Sequence, residues 1–346
     1  LQMGTGNSGH SLNVSITNIS VKESTKNNLA RVDYDGTASS LLVEPERTNL
    51  LPYSSDFSQN AWAETRCTID SGGHISPSGE SNAFKMTATD DDARLQDGSE
   101  AAGIVYTQSI YVKSATGSDV SGQIDFTGVD IQTFTATSEW QRVDTTLTNM
   151  VKSGLVRVRI TNSGDELYVW GAQVEVGSYA TSYIPTDGGT VTRIQELYSK
   201  TGISNLIGTE GVLFVESAID AIGVQRSLCL SDGSSNNRIL LYYDNGGTIT
   251  MQLKTGGNTY SKDDNTGAVA TDFNKIAIRY QDNRIDLSVN GATLRTVSGV
   301  FSIPIVLSQL NFGAYSSTIN PFFGKVKQLQ VYKTALSDSE LTALTT

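Results

Sequence analysis

Cysteine and histidine are scarce in this chain of 346 residues, and their scarcity excludes several kinds of site. The two cysteines, Cys67 and Cys229, are too few and too far apart for a disulfide-rich secreted scaffold, so we expect both to be unpaired. The two histidines, His10 and His74, have no partner at the spacing of a zinc site. Neither of them stands where a Ser/His/Asp triad is expected. Cys/His metal clusters and serine-hydrolase chemistry are therefore not expected.

Basic residues and long apolar runs are also scarce. Lysine and arginine total 25 against 36 aspartates and glutamates, which gives a net charge of −11 without any basic stripe. This balance argues against nucleic acid or an anionic membrane as a partner. No apolar run approaches the roughly 18 residues of a membrane-spanning helix, and no signal peptide is visible, so membrane insertion is not expected. Because the chain begins at Leu1, we expect a fragment of a longer protein.

Proline is rare, with six residues, whereas glycine is abundant, with 32. Runs rich in Val, Ile and Thr between Gly, Ser and Asp turns indicate strands rather than helices. Strands are predicted at residues 11–21, 29–34, 83–88, 104–113, 122–126, 133–136, 141–147, 154–160 and 167–176. Short strands about ten residues apart are typical of an antiparallel sandwich or jelly roll.

The C-terminal half repeats this pattern. Strands are predicted at 212–219, 227–230, 238–243, 248–254, 275–280, 285–289, 292–297, 310–314 and 324–332, with a hairpin turn at Asn290-Gly291. The one convincing helix is formed by the last ten residues, where Ser337 and Glu340 match a capping box.

The stretch from Leu167 to Arg193 divides the chain. It begins as a strand with a bulge expected at Gly171 and Ala172, and after Gly177 it cannot continue a sheet because of Pro185 and the glycines that follow it. The predicted organisation is an arm or last strand of a preceding module (1–36), a first β-module (37–187), a linker (188–193) and a second β-module (194–346). We expect the two modules to fold independently.

Four segments of the first module resemble a known family. They are SLLVEPERTNLLPYSSDFSQNAW (40–62), ISPSGESNAFKM (75–86), SEWQRV (138–143) and YVWGAQVEVGSYATSYIPTDGGTVTR (168–193). Together they resemble the carbohydrate-binding-like jelly roll of bacteriophage tail-fibre and tail-appendage proteins. The C-terminal segment FFGKVKQLQVYKTALSDSELTALTT (322–346) is similar to the end of a laminin-G or concanavalin-like lectin domain. The resulting fold expectation is all-β: a jelly-roll (galactose-binding-like) module, then a concanavalin/laminin-G-like β-sandwich.

The resemblance implies an extracellular virion adhesin that recognises bacterial surface polysaccharide, assembles with other tail proteins and is a homotrimer. Two alternatives stay open at this point. In the first, the chain is a purely structural virion protein. In the second, it is the non-catalytic binding portion of a secreted polysaccharide-degrading enzyme. The chain itself is not expected to be an enzyme, because no carboxylates stand at the Glu-x-Asp-x-x-Glu spacing of concanavalin-like glucanases, and Glu216 and Asp220 are the nearest candidates.

Sugar binding requires flat aromatic faces with polar groups beside them. Trp140 and Trp170 lie in or beside strand-like runs and are expected in the core, whereas Trp62 follows a polar loop and is predicted to form a sugar site with Tyr53. A second group of candidates lies in the C-terminal module, and its members are Asn236, Arg238, Tyr242 and Tyr260.

Calcium requires several oxygen ligands from one or two loops. The resemblance raises the prospect of a structural calcium ion, and two acidic clusters are the candidates. The candidate ligands are Asp90 and Asp92 in the first module, and Asp263 and Asp264 in the second.

Overall fold

The computed structural model describes residues 31–35, 38–100, 103–148, 154–304 and 306–346. The predicted strand at residues 11–21 and His10 lie outside these ranges. The described part of the chain is all-β apart from a 3-10 turn (Ser204–Leu206) and a C-terminal helix α1 (Asp338–Thr345). It forms two β-sandwiches that follow one another along the sequence.

In the N-terminal half, the described residues form fourteen strands. They are β1 (Arg31–Asp35), β2 (Ala38–Val43), β3 (Arg47–Asn49), β4 (Ala63–Thr65), β5 (Cys67–Ile69), β6 (His74–Ile75), β7 (Ser81–Ala88), β8 (Ala93–Glu100), β9 (Tyr106–Ser114), β10 (Val120–Phe126), β11 (Val129–Ala136), β12 (Gln141–Leu147), β13 (Gly154–Ile160) and β14 (Glu166–Val176).

Twelve more strands follow. They are β15 (Val191–Arg193), β16 (Ser199–Thr201), β17 (Gly211–Ile219), β18 (Arg226–Ser231), β19 (Arg238–Tyr243), β20 (Ile249–Thr255), β21 (Asn258–Asp263), β22 (Asn274–Gln281), β23 (Arg284–Val289), β24 (Arg295–Ser298), β25 (Gln309–Asn311) and β26 (Gly324–Tyr332).

The first sandwich packs a sheet in the order β11-β10-β13-β8-β4 against a sheet in the order β12-β9-β14-β7-β5, with β6 added beside β7. Alternate residues of each strand enter the core between the sheets, as the period of two requires. Val156, Val158 and Ile160 point inward as expected. Arg157, on the opposite face, is also buried, because its guanidinium binds the carboxylate of Asp125.

The second sandwich pairs a six-stranded sheet, β16-β25-β18-β19-β20-β21, with a seven-stranded sheet, β1-β2-β26-β17-β22-β23-β24. The seven-stranded sheet includes β1 and β2, which come from the N-terminal end of the described chain. Leu41, Leu42 and Val43 pair with residues of β26, and Val43 is buried in the core of this second sandwich. The predicted boundaries placed residues 37–43 in the first module. The structure differs because the free edge of β26 takes up the hairpin of β1 and β2.

Several local predictions are confirmed. The register of β14 against β9 shifts between Trp170 and Gln173, and Gly171 has φ +65°, which marks the expected bulge. Asn290 and Gly291 both have positive φ, as a tight hairpin turn requires. At the start of α1, Ser337 and Glu340 form the complete capping box.

The predicted linker is not an isolated tether. Strand β15 forms the end of this linker and pairs with β3. Asp187, just before the linker, forms an isolated β-bridge with Tyr53. Asn49 is fully buried, and its side-chain amide donates to the carbonyl oxygens of Ala172 and Ile184. The segment after β14 is therefore held against the first sandwich by hydrogen bonds from buried polar side chains.

Both cysteines are free and buried, as expected. Burial raises the pKa of the Cys67 thiol to about 11 and that of Cys229 further still. Within the described ranges, the helical segments are too short or too polar to cross a membrane.

Candidate functional site

A cleft of about 540 Å³ lies between the two sandwiches. One wall comes from β9, β12 and the segment after β14, and the other comes from β2, the ends of β17 and β26, and the loop before β22. Its aromatic lining consists of Tyr111, Tyr179, Tyr183 and Phe273. Its charged lining consists of Asp33, Glu44, Arg142, Asp220 and Lys325. We call this cavity the inter-sandwich cleft.

The wall of the first sandwich is an aromatic cluster on the outer face of its sheet. Tyr111 alternates with core residues of β9, so its ring points away from the core, towards Trp170 at a centroid distance of 5.3 Å. Trp170 in turn packs on Tyr183 at 4.6 Å. A Cβ on Gly171 would come within 3.2 Å of the Tyr111 ring, so glycine permits this approach.

The segment that carries Tyr183 is fixed by two buried polar side chains of β14. The carbonyl oxygen of the Gln173 side chain accepts from the backbone N–H of Ile184 at 2.7 Å. The carboxylate of Glu175 accepts from both the N–H and the hydroxyl of Thr181, at 2.7 and 2.6 Å. Because these side chains are fully buried, their hydrogen bonds are costly to break. The segment is thus held in position beside the aromatic cluster.

Arg142 projects beside the aromatic cluster because it is paired with Tyr111 across β12 and β9. Its guanidinium donates to the carbonyl oxygen of Thr181 at 2.6 Å and to the hydroxyl of Ser109 at 2.7 Å. It also lies 5.5 Å from the centroid of the Tyr111 ring. Its Nε is buried without an acceptor, and among the described residues no carboxylate forms an ion pair with it.

The opposite wall carries charges that are already paired. The carboxylate of Asp220 accepts two hydrogen bonds from Arg226, at 2.9 and 3.0 Å, and a third from the Tyr179 hydroxyl. Burial and the neighbouring Asp220 raise the pKa of Tyr179 far above its usual value. Lys325 binds Asp33 at 2.5 Å.

A buried ion network lies at the end of the cleft where the sandwiches join. Glu44 forms ion pairs with Arg31 and Arg193, and one of its side-chain oxygens accepts from the N–H of Ser182 at 2.8 Å. Glu196 accepts from Arg31 at 2.7 Å and from the N–H of Glu44 at 2.8 Å. Burial raises the pKa of Glu196 and lowers that of Arg193, because it disfavours the charged form of each.

The structure contradicts the role predicted for Trp62. Only 7% of its surface is exposed, its ring packs on Phe57 at 4.9 Å, and its indole N–H donates to the backbone oxygen of Tyr53 at 2.9 Å. A buried ring has no face on which a sugar can stack. The two tryptophans expected in the core both lie outside the core cluster: Trp170 is buried on the outer face of the sheet against Tyr111 and Tyr183, and Trp140 is half-buried.

The candidates in the second module are only partly brought together. Arg238 and Tyr242 both lie on the outer face of β19, where Arg238 stacks on Tyr315 at 5.6 Å. Tyr242 and Tyr315 pack against the same small apolar cluster. Asn236 is exposed in the preceding loop. Tyr260 is separate from them, because it packs against Phe301 at 4.4 Å.

The aspartates proposed as calcium ligands do not converge. Asp92 pairs with Arg159 and Arg94, and Asp90 lies 3.9 Å from Arg66. In the second module, Asp263 accepts from Thr250 and Asp264 from Thr266, both through side-chain hydroxyls. Across the described ranges, no three His, Cys, Asp or Glu side chains are grouped so that they could hold a metal ion. Calcium binding stays a prediction, without a site assigned to it.

Tyr111, Arg142, Tyr179 and Tyr183 were not predicted as site residues. The segment that includes Tyr179 and Tyr183 was recognised only as a joint. The alternation in 104–113 could have indicated that Tyr111 points away from the core, but the pairing that places Arg142 opposite it depends on a strand register that the sequence does not show.

The family model of the concanavalin A-like lectin/glucanases superfamily (Laminin_G_3) matches residues 218–342, which is the greater part of the second sandwich. No curated protein is significantly similar to the chain.

Similar solved structures include the carbohydrate-binding module CBM40 of the Ruminococcus gnavus IT-sialidase bound to α2,3-sialyllactose, with 20% identity over 43% of this chain and 98% of that one, at a TM-score of 0.37. A putative carbohydrate-binding protein from Bacteroides ovatus shares 10% identity over 72% of this chain and 77% of its own, at a TM-score of 0.33. Domains LG4–5 of the mouse laminin α1 chain share 11% identity over 80% and 94% of the two chains, at a TM-score of 0.31.

Proposed function

We propose that the chain is a non-catalytic carbohydrate-binding protein and that the inter-sandwich cleft is its binding site. The observation that carries the proposal is the partly exposed rings of Tyr111 and Tyr183 beside the hydrogen-bonding groups of Arg142. Flat aromatic faces and planar polar groups are the combination that binds pyranose rings and their hydroxyls. The family match of the second sandwich to lectins and glucanases supports this proposal.

The charges of the cleft favour binding over hydrolysis. Glycoside hydrolysis requires two carboxyl groups that face one another across the scissile bond. The acidic residues of the cleft, Asp33, Glu44 and Asp220, are each engaged by a lysine or arginine. They fix the wall of the cleft and are not presented as an acid and base pair.

We further propose that the chain acts in a virion as part of a bacteriophage tail fibre or appendage, attaching to bacterial surface polysaccharide as a homotrimer. This assignment rests on the sequence segments at 40–62, 75–86, 138–143 and 168–193. A single open sugar site commonly binds in the millimolar range, about −4 kcal/mol, so several copies on one particle would be needed for firm adhesion.

A glycan array probed with the full chain tests carbohydrate binding, and two variants test its location. Tyr111→Ala removes a ring from the cleft, and we expect affinity for the best glycan to fall about tenfold, or roughly 1.4 kcal/mol. Tyr242→Ala is the matched control, because it removes a half-buried tyrosine from the outer face of β19, and we expect it to bind normally. Melting curves of both variants establish that they are folded.

Three outcomes would contradict the proposal. Loss of binding in Tyr242→Ala alone would move the site to the second sandwich. If both variants bind the glycan as tightly as the parent chain does, the site lies elsewhere. A folded chain that binds nothing on an array of bacterial polysaccharides would favour the purely structural role.

A further inference from the structure

We infer that the inter-sandwich cleft selects a sugar that carries a carboxylate, and that Arg142 binds this group. This inference rests on the proposed function and specifies its ligand class. It starts from the balance of charge in the cleft, which leaves Arg142 as the cation without a counter-ion among the described lining residues.

The other charged residues of the cleft neutralise one another or are neutralised from just outside it. Lys325 pairs with Asp33, Arg226 with Asp220, and Arg31 and Arg193 with the two carboxylates of Glu44 and Glu196. Arg142 differs because its two hydrogen bonds go to neutral acceptors, the Thr181 carbonyl and the Ser109 hydroxyl. The local charge at the aromatic cluster is therefore positive, although the chain as a whole carries −11.

Partial burial makes this unpaired charge expensive. A guanidinium has five N–H donors, and the two hydrogen bonds of Arg142 leave the others without an acceptor among the described residues, including the buried Nε. Removing charge from water without a counter-ion costs free energy, which an incoming anion recovers. A carboxylate can accept the remaining Nη donors, and hydrogen bonds between two ionised groups are about twice as strong as neutral ones.

The position of Arg142 suits a sugar acid rather than a bare anion. The guanidinium lies on the ring of Tyr111, so a carboxylate bound to it would place the attached pyranose beside Tyr111 and Tyr183. The acidic character of the whole chain opposes a densely charged polymer. The ligand we infer is therefore a glycan with a single carboxylate at the point of contact.

The chain offers a matched control for Arg142. Arg238 also stacks on a tyrosine, donates to a neutral acceptor, the Gln252 side chain at 2.8 Å, and has a buried Nε without a partner. Among the described residues it forms no ion pair, and it does not line the cleft. Substitution of Arg238 by glutamine therefore removes the same charge from a similar environment outside the cleft.

The test is calorimetric titration of the full chain with paired probes. Each pair consists of an oligosaccharide that contains glucuronic, galacturonic, mannuronic or sialic acid and the same oligosaccharide after its carboxyl groups are reduced to alcohols. We expect at least one acidic probe to bind about tenfold more tightly than its reduced partner, and added salt to diminish that difference. Arg142→Gln should reduce the ratio to about twofold or less, whereas Arg238→Gln should leave it unchanged. Melting curves verify folding, and Arg142→Lys, which keeps the charge, should retain part of the preference.

The outcomes separate the inference from the proposed function. If reduced probes bind as well as acidic ones and Tyr111→Ala weakens both, the cleft binds sugar but the inference is wrong. If a sulfated oligosaccharide without carboxylates binds through Arg142 and the acidic probes do not, the cleft selects sulfate instead. If Arg238→Gln rather than Arg142→Gln removes the preference, the acidic sugar binds at β19. If neither member of any pair binds, both the inference and the proposed function fail.

Discussion

Replacement of Trp62 by alanine separates a core role from a binding role. Trp62 is only 7% exposed, and burial of an aromatic side chain removes about 150–250 Å² of surface from water. At about 25 cal/mol per Å² this corresponds to roughly 4–6 kcal/mol, an upper bound because the unfolded chain also buries some surface. Measured truncations of buried tryptophan to alanine cost about 3–5 kcal/mol, and we expect Trp62→Ala to lie in this range.

The measurement is denaturant unfolding followed by tryptophan fluorescence. All three tryptophans, Trp62, Trp140 and Trp170, lie in the first sandwich, so the signal reports on that unit even if the second sandwich unfolds separately. Trp140→Ala is the control, because this residue is half-buried and lies outside the core cluster, and its loss should cost clearly less. A cost below about 1 kcal/mol for Trp62→Ala, together with loss of glycan binding, would contradict the burial of Trp62 and restore it as a site residue.

Three further predictions concern stability. Ser337→Ala should lower the free energy of unfolding by about 1 kcal/mol through loss of the capping box, and an unchanged midpoint in denaturant would contradict this. The hydrogen bond from Lys85 lowers the pKa of Glu166. The stability that this pair adds should therefore be complete above the unfolded pKa near 4.5 and be lost as the pH falls through the lowered folded pKa. Unfolding curves of Glu166→Gln between about pH 6 and 2.5 should show a weaker acid dependence than the parent, and identical slopes would show that the pair is uncoupled from folding. Residues 194–346 expressed alone should be less stable than the same residues joined to the hairpin 31–43, and equal melting temperatures would show that the hairpin is dispensable.

The fold could largely be predicted from the sequence because its strongest signals are local. The strands at 141–147, 154–160, 238–243 and 324–332 were predicted with the bounds that the structure shows, since alternation and turn residues define each of them. Strand β8 was missed because its sequence, ARLQDGSE, has few apolar residues and contains a glycine. Its formation depends on pairing with β13 and β4, which is not a local property.

The candidate site could not be predicted, because it depends on contacts between distant residues. Trp62 was chosen from its position after a polar loop, but loop position does not determine burial, and Phe57 from the same loop covers its ring. Arg142 and Thr181 are 39 residues apart and meet only because the segment after β14 folds back over β9 and β12. Asp220 reaches Tyr179 across the boundary between the sandwiches.

The described part of the chain crosses between the two sandwiches twice, and the crossings explain how the cleft can be preformed. The first crossing follows Val43, where the chain leaves the seven-stranded sheet, and the second follows Arg193, where it returns. The two crossings run side by side as β3 and β15 and are joined by ion pairs that involve Glu44. Two adjacent connections restrict the relative movement of the walls far more than a single linker would. A ligand that contacts both walls then loses little free energy in ordering them, so shallow contacts with Tyr111 and Arg142 can contribute more fully to affinity.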